Sequence, residues 1–152
     1  MTTASEAFAE IRERLDAEDS GIEIDIYYQG DDAPILPDTP AAFAFVFFNV
    51  DGSRGGPAAY GGGRGRNLYR NRASVEAYVF SPIGEGMEIV LGHAEAVAAR
   101  LRSYRSDVIS CFSADVIPVG HGSALSVPGL NSEVNNYQAA IAAVDLHFDQ
   151  IG

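Results

Sequence analysis

The sequence predicts one domain that mixes two amphipathic helices with a set of strands. Three observations carry that reading. Apolar residues recur at helical spacing in two stretches, 4–17 and 87–104; period-two or doubly apolar runs lie between them; and a Gly/Arg-rich segment separates two strands as a hairpin connection would. The chain of 152 residues is 47% apolar. A domain of this size buries about 70% of the surface its unfolded chain exposes, so neither disulfide nor metal is required for folding.

Residues 4–17 read as the first helix. Ala4, Ala7, Ile11 and Leu15 recur at i+3 or i+4, while Glu6, Glu10, Glu13 and Arg14 take the other face. Ser5 and Glu6 supply capping chemistry near its start, and Ser20-Gly21 ends it. Ile22, Ile24 and Ile26 then alternate with Glu23 and Asp25, which marks a half-buried strand running to about Tyr28. Pro34, Pro37 and Pro40 make residues 29–40 a loop, because no helix survives prolines at that density. Residues 41–50, with Phe43, Phe45, Phe47 and Phe48, are apolar on both faces and read as a strand buried on both sides. Residues 51–66 hold seven glycines and three arginines. A loop of that length without its own periodicity is either functional or disordered. Strand character returns over 67–80, where Val75, Ala77 and Val79 alternate with Glu76 and Tyr78, so the flanking strands pair as one long hairpin.

Ser81-Pro82-Ile83-Gly84-Glu85-Gly86 is a turn that opens the second helix, 87–104. Val90, Ala94, Val97, Leu101 and Tyr104 fall on one stripe, and Arg100, Arg102 and Arg105 complement the dipole at its C-terminal end. Residues 107–117 read as a strand or strand pair around Ile109, Cys111 and Phe112, and 120–136 as a second Gly/Ser-rich loop. Two readings stay open for 136–148. Tyr137, Ile141, Val144 and Phe148 sit at helical spacing among helix-favouring alanines, whereas Tyr137, Ala139, Ile141 and Ala143 alternate as a strand would; periodicity leans to helix.

Catalytic, metal and cofactor chemistry are not expected. His93, His121 and His147 show no metal-ligand spacing and no partnering cysteine pair. Cys111 would need a neighbouring histidine to act as a nucleophile, and beside Ile109 and Phe112 it reads as a small core residue. The run Gly61-Gly62-Gly63-Arg64-Gly65-Arg66 lacks the lysine and hydroxyl of a phosphate-binding loop, and Glu85 would repel an anion at the start of the second helix. One cysteine cannot form an internal disulfide, which favours a cytosolic folding site. The longest apolar run, 41–48, falls short of the ~20 residues of a membrane span, and the N-terminus has no export-signal pattern.

Charge is unevenly placed within the overall balance of −11. Residues 1–38 carry eleven acids against Arg12 and Arg14, a local balance of −9; residues 51–72 carry five arginines against Asp51, a local balance of +4. Arg54, Tyr60, Arg64, Arg66, Tyr69, Arg70 and Arg72 thus form an arginine–tyrosine cluster, and guanidinium forks suit carboxylates as well as phosphates. Sequence-specific DNA binding is not expected of a chain this acidic that lacks a recognition motif. The more economical partner is another copy, whose acids Glu13, Asp16, Glu18 and Asp19 would meet the arginines.

The segment Arg66-Asn67-Leu68-Tyr69-Arg70, the strand 73–80, the Ser81–Gly86 turn, the helix 87–104, and the stretch from Asn136-Tyr137 to Phe148-Asp149-Gln150 resemble bacteriophage tail-terminator (tail-completion) proteins of long-tailed phages. The resemblance spans about residues 4–149. It implies an α+β fold with a curved, mainly antiparallel sheet packed against two helices in the order α-β-β-β-α-β-β, with 136–148 as strand. The Gly/Arg-rich hairpin loop and the 120–136 loop are both long for that pattern. The family likeness further implies a non-enzymatic structural virion protein without cofactor, made in the host cytoplasm and residing in the tail neck. It would form a ring, a hexamer, that caps the tail tube, ends its polymerisation and joins it to the head connector. Its partners would be other copies, the tail-tube protein, the head–tail connector protein and genomic DNA passing through the lumen without sequence-specific contact; no membrane is involved. A head–tail connector or tail-tube component of the same particle is the competing reading.

Overall fold

The computed structural model describes residues 3–32, 34–52, 59–61, 63, 65, 66, 68–125, 127 and 134–151. Over these the chain runs through α1 (Ala4–Asp16), β1 (Asp25–Tyr28), β2 (Phe43–Gly52), β3 (Ala59–Tyr60), β4 (Leu68–Pro82), α2 (Met87–Leu101), β5 (Ser110–His121), a 3-10 turn (Gly122–Ala124) and β6 (Tyr137–Ile151). The fold is α+β. Its mixed sheet has the order β1-β2-β4-β6-β5, with β3 pairing on β4. β1 runs parallel to β2, and every other pairing is antiparallel. The expected element order therefore gains one strand, β3, inside the Gly/Arg-rich connection. Residues 53–58, 62, 64 and 67 of that connection lie outside the described residues.

The period of two along β4 and β6 sorts the side chains onto two faces. Ala73, Val75, Ala77 and Val79 pair in register with Leu146, Val144, Ala142 and Ala140. All eight belong to the main core, with Ala7, Ile11 and Leu15 of α1 and Val90, Ala94, Val97, Ala98 and Leu101 of α2. Both helices therefore cover this one face. The alanines matter here: small side chains beneath α2 let the helix approach the central strands at native packing density. On the other face, Phe43, Phe45, Phe80, Tyr137 and Ala139 join Val127 and Val134 in a second, smaller cluster at one end of the sheet. Phe43 stacks on Phe80 at 4.8 Å and meets Tyr137 edge-on at 5.4 Å.

Several local expectations are corrected. Thr3, not Ser5, caps α1: its hydroxyl accepts from the Glu6 backbone N–H (3.2 Å) while its own N–H donates to Glu6 Oε2 (2.6 Å), a reciprocal capping box. Strand pairing begins at Asp25 and not at Ile22, since the register with β2 starts at Asp25 opposite Phe43; Ile22 and Ile24 pack on the core without joining the ladder. β2 is buried on both faces only over its first half, from Phe43 to Val46. Residues 137–151 are strand, against the helical periodicity. β6 is paired on both sides, so ladder hydrogen bonds override the alanine preference for helix.

Two arginines join the helix ends. Arg14 Nε donates to the Arg100 carbonyl (3.2 Å), and Arg100 Nε donates to the Arg14 carbonyl (3.0 Å). Each guanidinium thereby satisfies a last-turn carbonyl of the opposite helix that has no partner within its own.

Candidate assembly surface

The face of the sheet opposite the helices carries a continuous apolar row. Tyr27, Phe45, Tyr78, Ile141 and Ile117 are consecutive register partners across all five principal strands, from β1 at one edge to β5 at the other. Phe47 adds to it, its ring 4.9 Å from Phe45 and 5.1 Å from Tyr78. Phe45 is buried, but Tyr27, Phe47, Tyr78 and Ile141 are only half-buried and Ile117 is 47% exposed. Phe45 belongs to the second cluster and Tyr27, Phe47 and Tyr78 pack against it, so the row is most exposed at its β5 end, at Ile117. The Tyr78 hydroxyl donates to Glu76 (3.0 Å), and burial, with that carboxylate, pushes its ionisation upward.

Further along the same face the strands turn polar and carry both signs of charge, Arg70 and Arg72 with Glu76, Asp115, Asp145 and Asp149. Arg70 and Asp149 are direct cross-strand partners and form a bidentate pair, Nε to Oδ1 at 2.8 Å and Nη2 to Oδ2 at 2.9 Å. The Arg70 guanidinium holds the Asp149 carboxyl below its ordinary range. Arg72 stands opposite His147, whose ring packs on Phe112 at 4.7 Å. Burial, and then the Arg70 charge, lower the His147 pKa. Ser113 donates to Asp145 (3.2 Å) beside them. Arg66 and Arg72 are exposed and make no ion pair among the described residues. Tyr69 is exposed on the opposite face of β4 from Arg70. Tyr60 lies in β3 opposite Leu68, its side chain outside the described residues, as are Arg54 and Arg64.

The acids singled out in the sequence sit on the helix side. Asp16 accepts from the Tyr28 hydroxyl (2.7 Å) and lies 4.0 Å from Arg12 Nε; burial first, then Asp16, pushes the Tyr28 pKa up. Asp19 pairs with Arg100 at 3.2 Å, and Arg12 itself makes a bidentate pair with Asp31. Glu13 and Glu18 are exposed without an ion pair among the described residues. The structure thus gathers Arg70 and Arg72 on the open face and puts the α1 acids on the other side of the sheet. Arg70 is satisfied within the chain. Which arginine is taken this way was not legible in the sequence, since Asp149 lies 79 residues away.

Sequence reasoning also missed Ile117, Phe112 and Ile35 as surface features. Ile35, at 93% exposure, is the most exposed large apolar residue described. An isoleucine between prolines in an otherwise acidic loop was the available signal.

The remaining reactive groups are committed locally. Cys111 is fully buried in β5, and burial pushes its thiol up to about 11. His121 Nδ1 accepts the Ser123 backbone N–H (3.2 Å) and lies 2.6 Å from the Ser123 hydroxyl, so the ring caps the 3-10 turn. A cleft of about 210 Å³ between the helices is lined by Glu10, Glu13, Arg14, Ala17, Arg100 and Tyr104. Tyr104 donates to Glu10 (2.7 Å) and Arg14 lies over the Tyr104 ring (4.0 Å), so its charges largely satisfy one another. Among the described residues no three His, Cys, Asp or Glu side chains converge, and no helix is long and apolar enough to cross a membrane.

The edges of the sheet are poor templates for strand addition. β1 has only four residues. β5 shifts register twice, between Cys111 and Ala114 and between Pro118 and Gly120; Pro118 lacks an N–H, and Arg102 takes up the Ala114 carbonyl at 2.8 Å. Bulges, proline and a capped carbonyl all discourage edge-to-edge pairing. No protein-family model and no curated protein matches the chain.

Proposed function

We propose that the chain is a non-enzymatic structural subunit that assembles with copies of itself into a ring, the tail terminator of a long-tailed bacteriophage. In that role six copies cap the tail tube, stop its growth and present a surface to the head–tail connector, while genomic DNA passes through the lumen without sequence-specific contact. The protein is then made in the host cytoplasm and resides in the virion neck. The observation that carries the reading is the separation of charge across one small sheet. Arg72, exposed and without an ion pair among the described residues, stands on the open face, and Glu13 and Glu18, likewise without one among the described residues, lie on the helix side. A surface pair that is complementary but lies on opposite sides of one subunit cannot close on itself as a two-fold dimer. It generates a heterologous contact that repeats around an axis, which closes into a ring or runs on as a filament. Blunted edges favour faces over strand addition as the contact.

Reversing Arg66 and Arg72 together to glutamate tests this. Arg70 is left alone because its change would also break the Asp149 pair. The expected result is loss of rings by negative-stain microscopy and loss of the oligomer by sedimentation, with an unchanged far-UV spectrum. Normal rings from that double variant would remove the charge-pairing account. Open-ended tubes from the unaltered protein would favour a tail-tube component instead.

A further inference from the structure

We infer that the β4–β6–β5 half of the open face is a docking site for a basic segment of a partner protein, one that presents an apolar side chain beside an arginine or lysine. The inference goes beyond the ring reading and does not depend on it. Two adjacent rungs of the sheet make the site. The first is apolar, Tyr78–Ile141–Ile117; the second, two residues further along each strand and on the same face, is Glu76–Ala143–Asp115. Asp145 follows on β6, opposite Ser74.

Register sets the carboxylates around a gap. Glu76 and Asp115 flank Ala143 from the two neighbouring strands, and Asp145 stands two residues beyond it. Strands lie about 4.8 Å apart, so Glu76 and Asp115 are separated by roughly 10 Å, too far to share one metal ion. The small Ala143 side chain fills little of the space between them. All three acids are exposed, and none has an ion pair among the described residues; Glu76 accepts from the Tyr78 hydroxyl and Asp145 from that of Ser113. Like charges on neighbouring strands repel. A cationic side chain seated over Ala143 relieves that repulsion, and its methylene stem suits the apolar rung alongside. Ile141 and Ile117 belong to neither core cluster, and Ile117 is 47% exposed, so this end of the rung has apolar surface left to bury.

Charge identifies the occupant. Three carboxylates beside an apolar strip select a basic partner and disfavour a polyanion. Arg72 and the Arg70–Asp149 pair lie further along the face, past Ser74. Within the chain, Arg12, Arg14, Arg70, Arg100 and Arg102 are all engaged by its own groups. That favours a different protein, richer in cations, over a second copy. Complementary charge beside an apolar contact sets register and speeds association.

The probe is a short amphipathic peptide of leucine and lysine, with a leucine–glutamate peptide of the same length as its counterpart. Fluorescence anisotropy should show binding of the lysine peptide and none of the glutamate peptide. Glu76→Gln, Asp115→Asn and Asp145→Asn together should weaken binding about tenfold, the combined scale of three exposed charge pairs. Glu13→Gln, Glu18→Gln and Glu23→Gln together remove the same charge elsewhere and should leave binding unchanged. Ile117→Lys should weaken binding by a similar factor while the chain stays folded by circular dichroism, because that side chain is largely outside the core. Failure of the lysine peptide to bind, equal binding of both peptides, or an equal loss in the two triple variants would overturn the assignment. So would weaker self-association of Ile117→Lys by sedimentation, which would put a second copy on the apolar rung.

Discussion

Gly122 begins the 3-10 turn and is buried. A Cβ added there would lie 2.7 Å from the Val134 carbonyl oxygen, 2.9 Å from that of Tyr137 and 3.4 Å from Phe80 Cδ1. The first two contacts are with backbone and cannot be relieved by a rotamer change. The Val134 oxygen also accepts the Tyr137 N–H at 3.1 Å, so moving it loosens the start of β6. Overpacking of this kind costs about 1–3 kcal/mol, and backbone displacement places Gly122→Ala in the upper half of that range. For a domain of this length each kcal/mol corresponds to roughly 2–4 °C in Tm, so a fall of about 4–12 °C is expected. Gly92→Ala is the matched control. It lies exposed within α2, its Cβ would meet nothing within 4 Å, and replacing a mid-helix glycine should stabilise by about 0.5–1 kcal/mol. Urea unfolding followed by near-ultraviolet circular dichroism suits the test, because seven tyrosines and no tryptophan supply the signal. Equal stability of Gly122→Ala and the unaltered chain, or shifts of the same sign in both variants, would refute this description of the turn.

Asp149 titrates below its ordinary range because of Arg70, so the pair adds stability above the unfolded carboxyl pKa and loses it as pH falls through the folded value. Both side chains are partly exposed, so the gain is at most about 1 kcal/mol. Arg70→Ala should flatten the acid limb of the stability–pH curve, and an acid limb that superimposes on that of the unaltered chain would count against the pair. Cys111, raised to about 11 by burial, should resist a thiol reagent at pH 8 in the native state and react fully in urea. Labelling of the folded chain at the rate of a free cysteine would contradict its place in the core. Association driven partly by Arg66 and Arg72 should also weaken with salt, since exposed charges are screened within about 10 Å at 0.1 M; salt-independent sedimentation would contradict the charged contact.

The helices were legible because each buries one stripe: Ala7, Ile11 and Leu15 in α1, and Val90, Ala94, Val97 and Leu101 in α2. β2 was legible from its phenylalanines. β6 was not, for a physical reason. Its core-facing positions include Ala140 and Ala142, chosen small because helices pack directly above them, and small residues in a row imitate helix propensity. The isoleucines at 22 and 24 alternate as a strand does, yet their partner strand begins only at Phe43, so alternation marked burial and not pairing. The arginine cluster was visible in composition, but its internal use by Asp149 depends on a β4–β6 register that no local pattern encodes. The apolar row is likewise a product of register, assembled from five strands that are distant in sequence.

The central claim is self-association into a closed ring, and the mass of the purified chain in solution tests it most directly. Sedimentation velocity at low and high protein concentration, paired with native mass spectrometry, should find one discrete species of six copies, about 97 kDa from a 16.1 kDa chain. A monomer at every concentration, or a continuous ladder of open polymers, would contradict it.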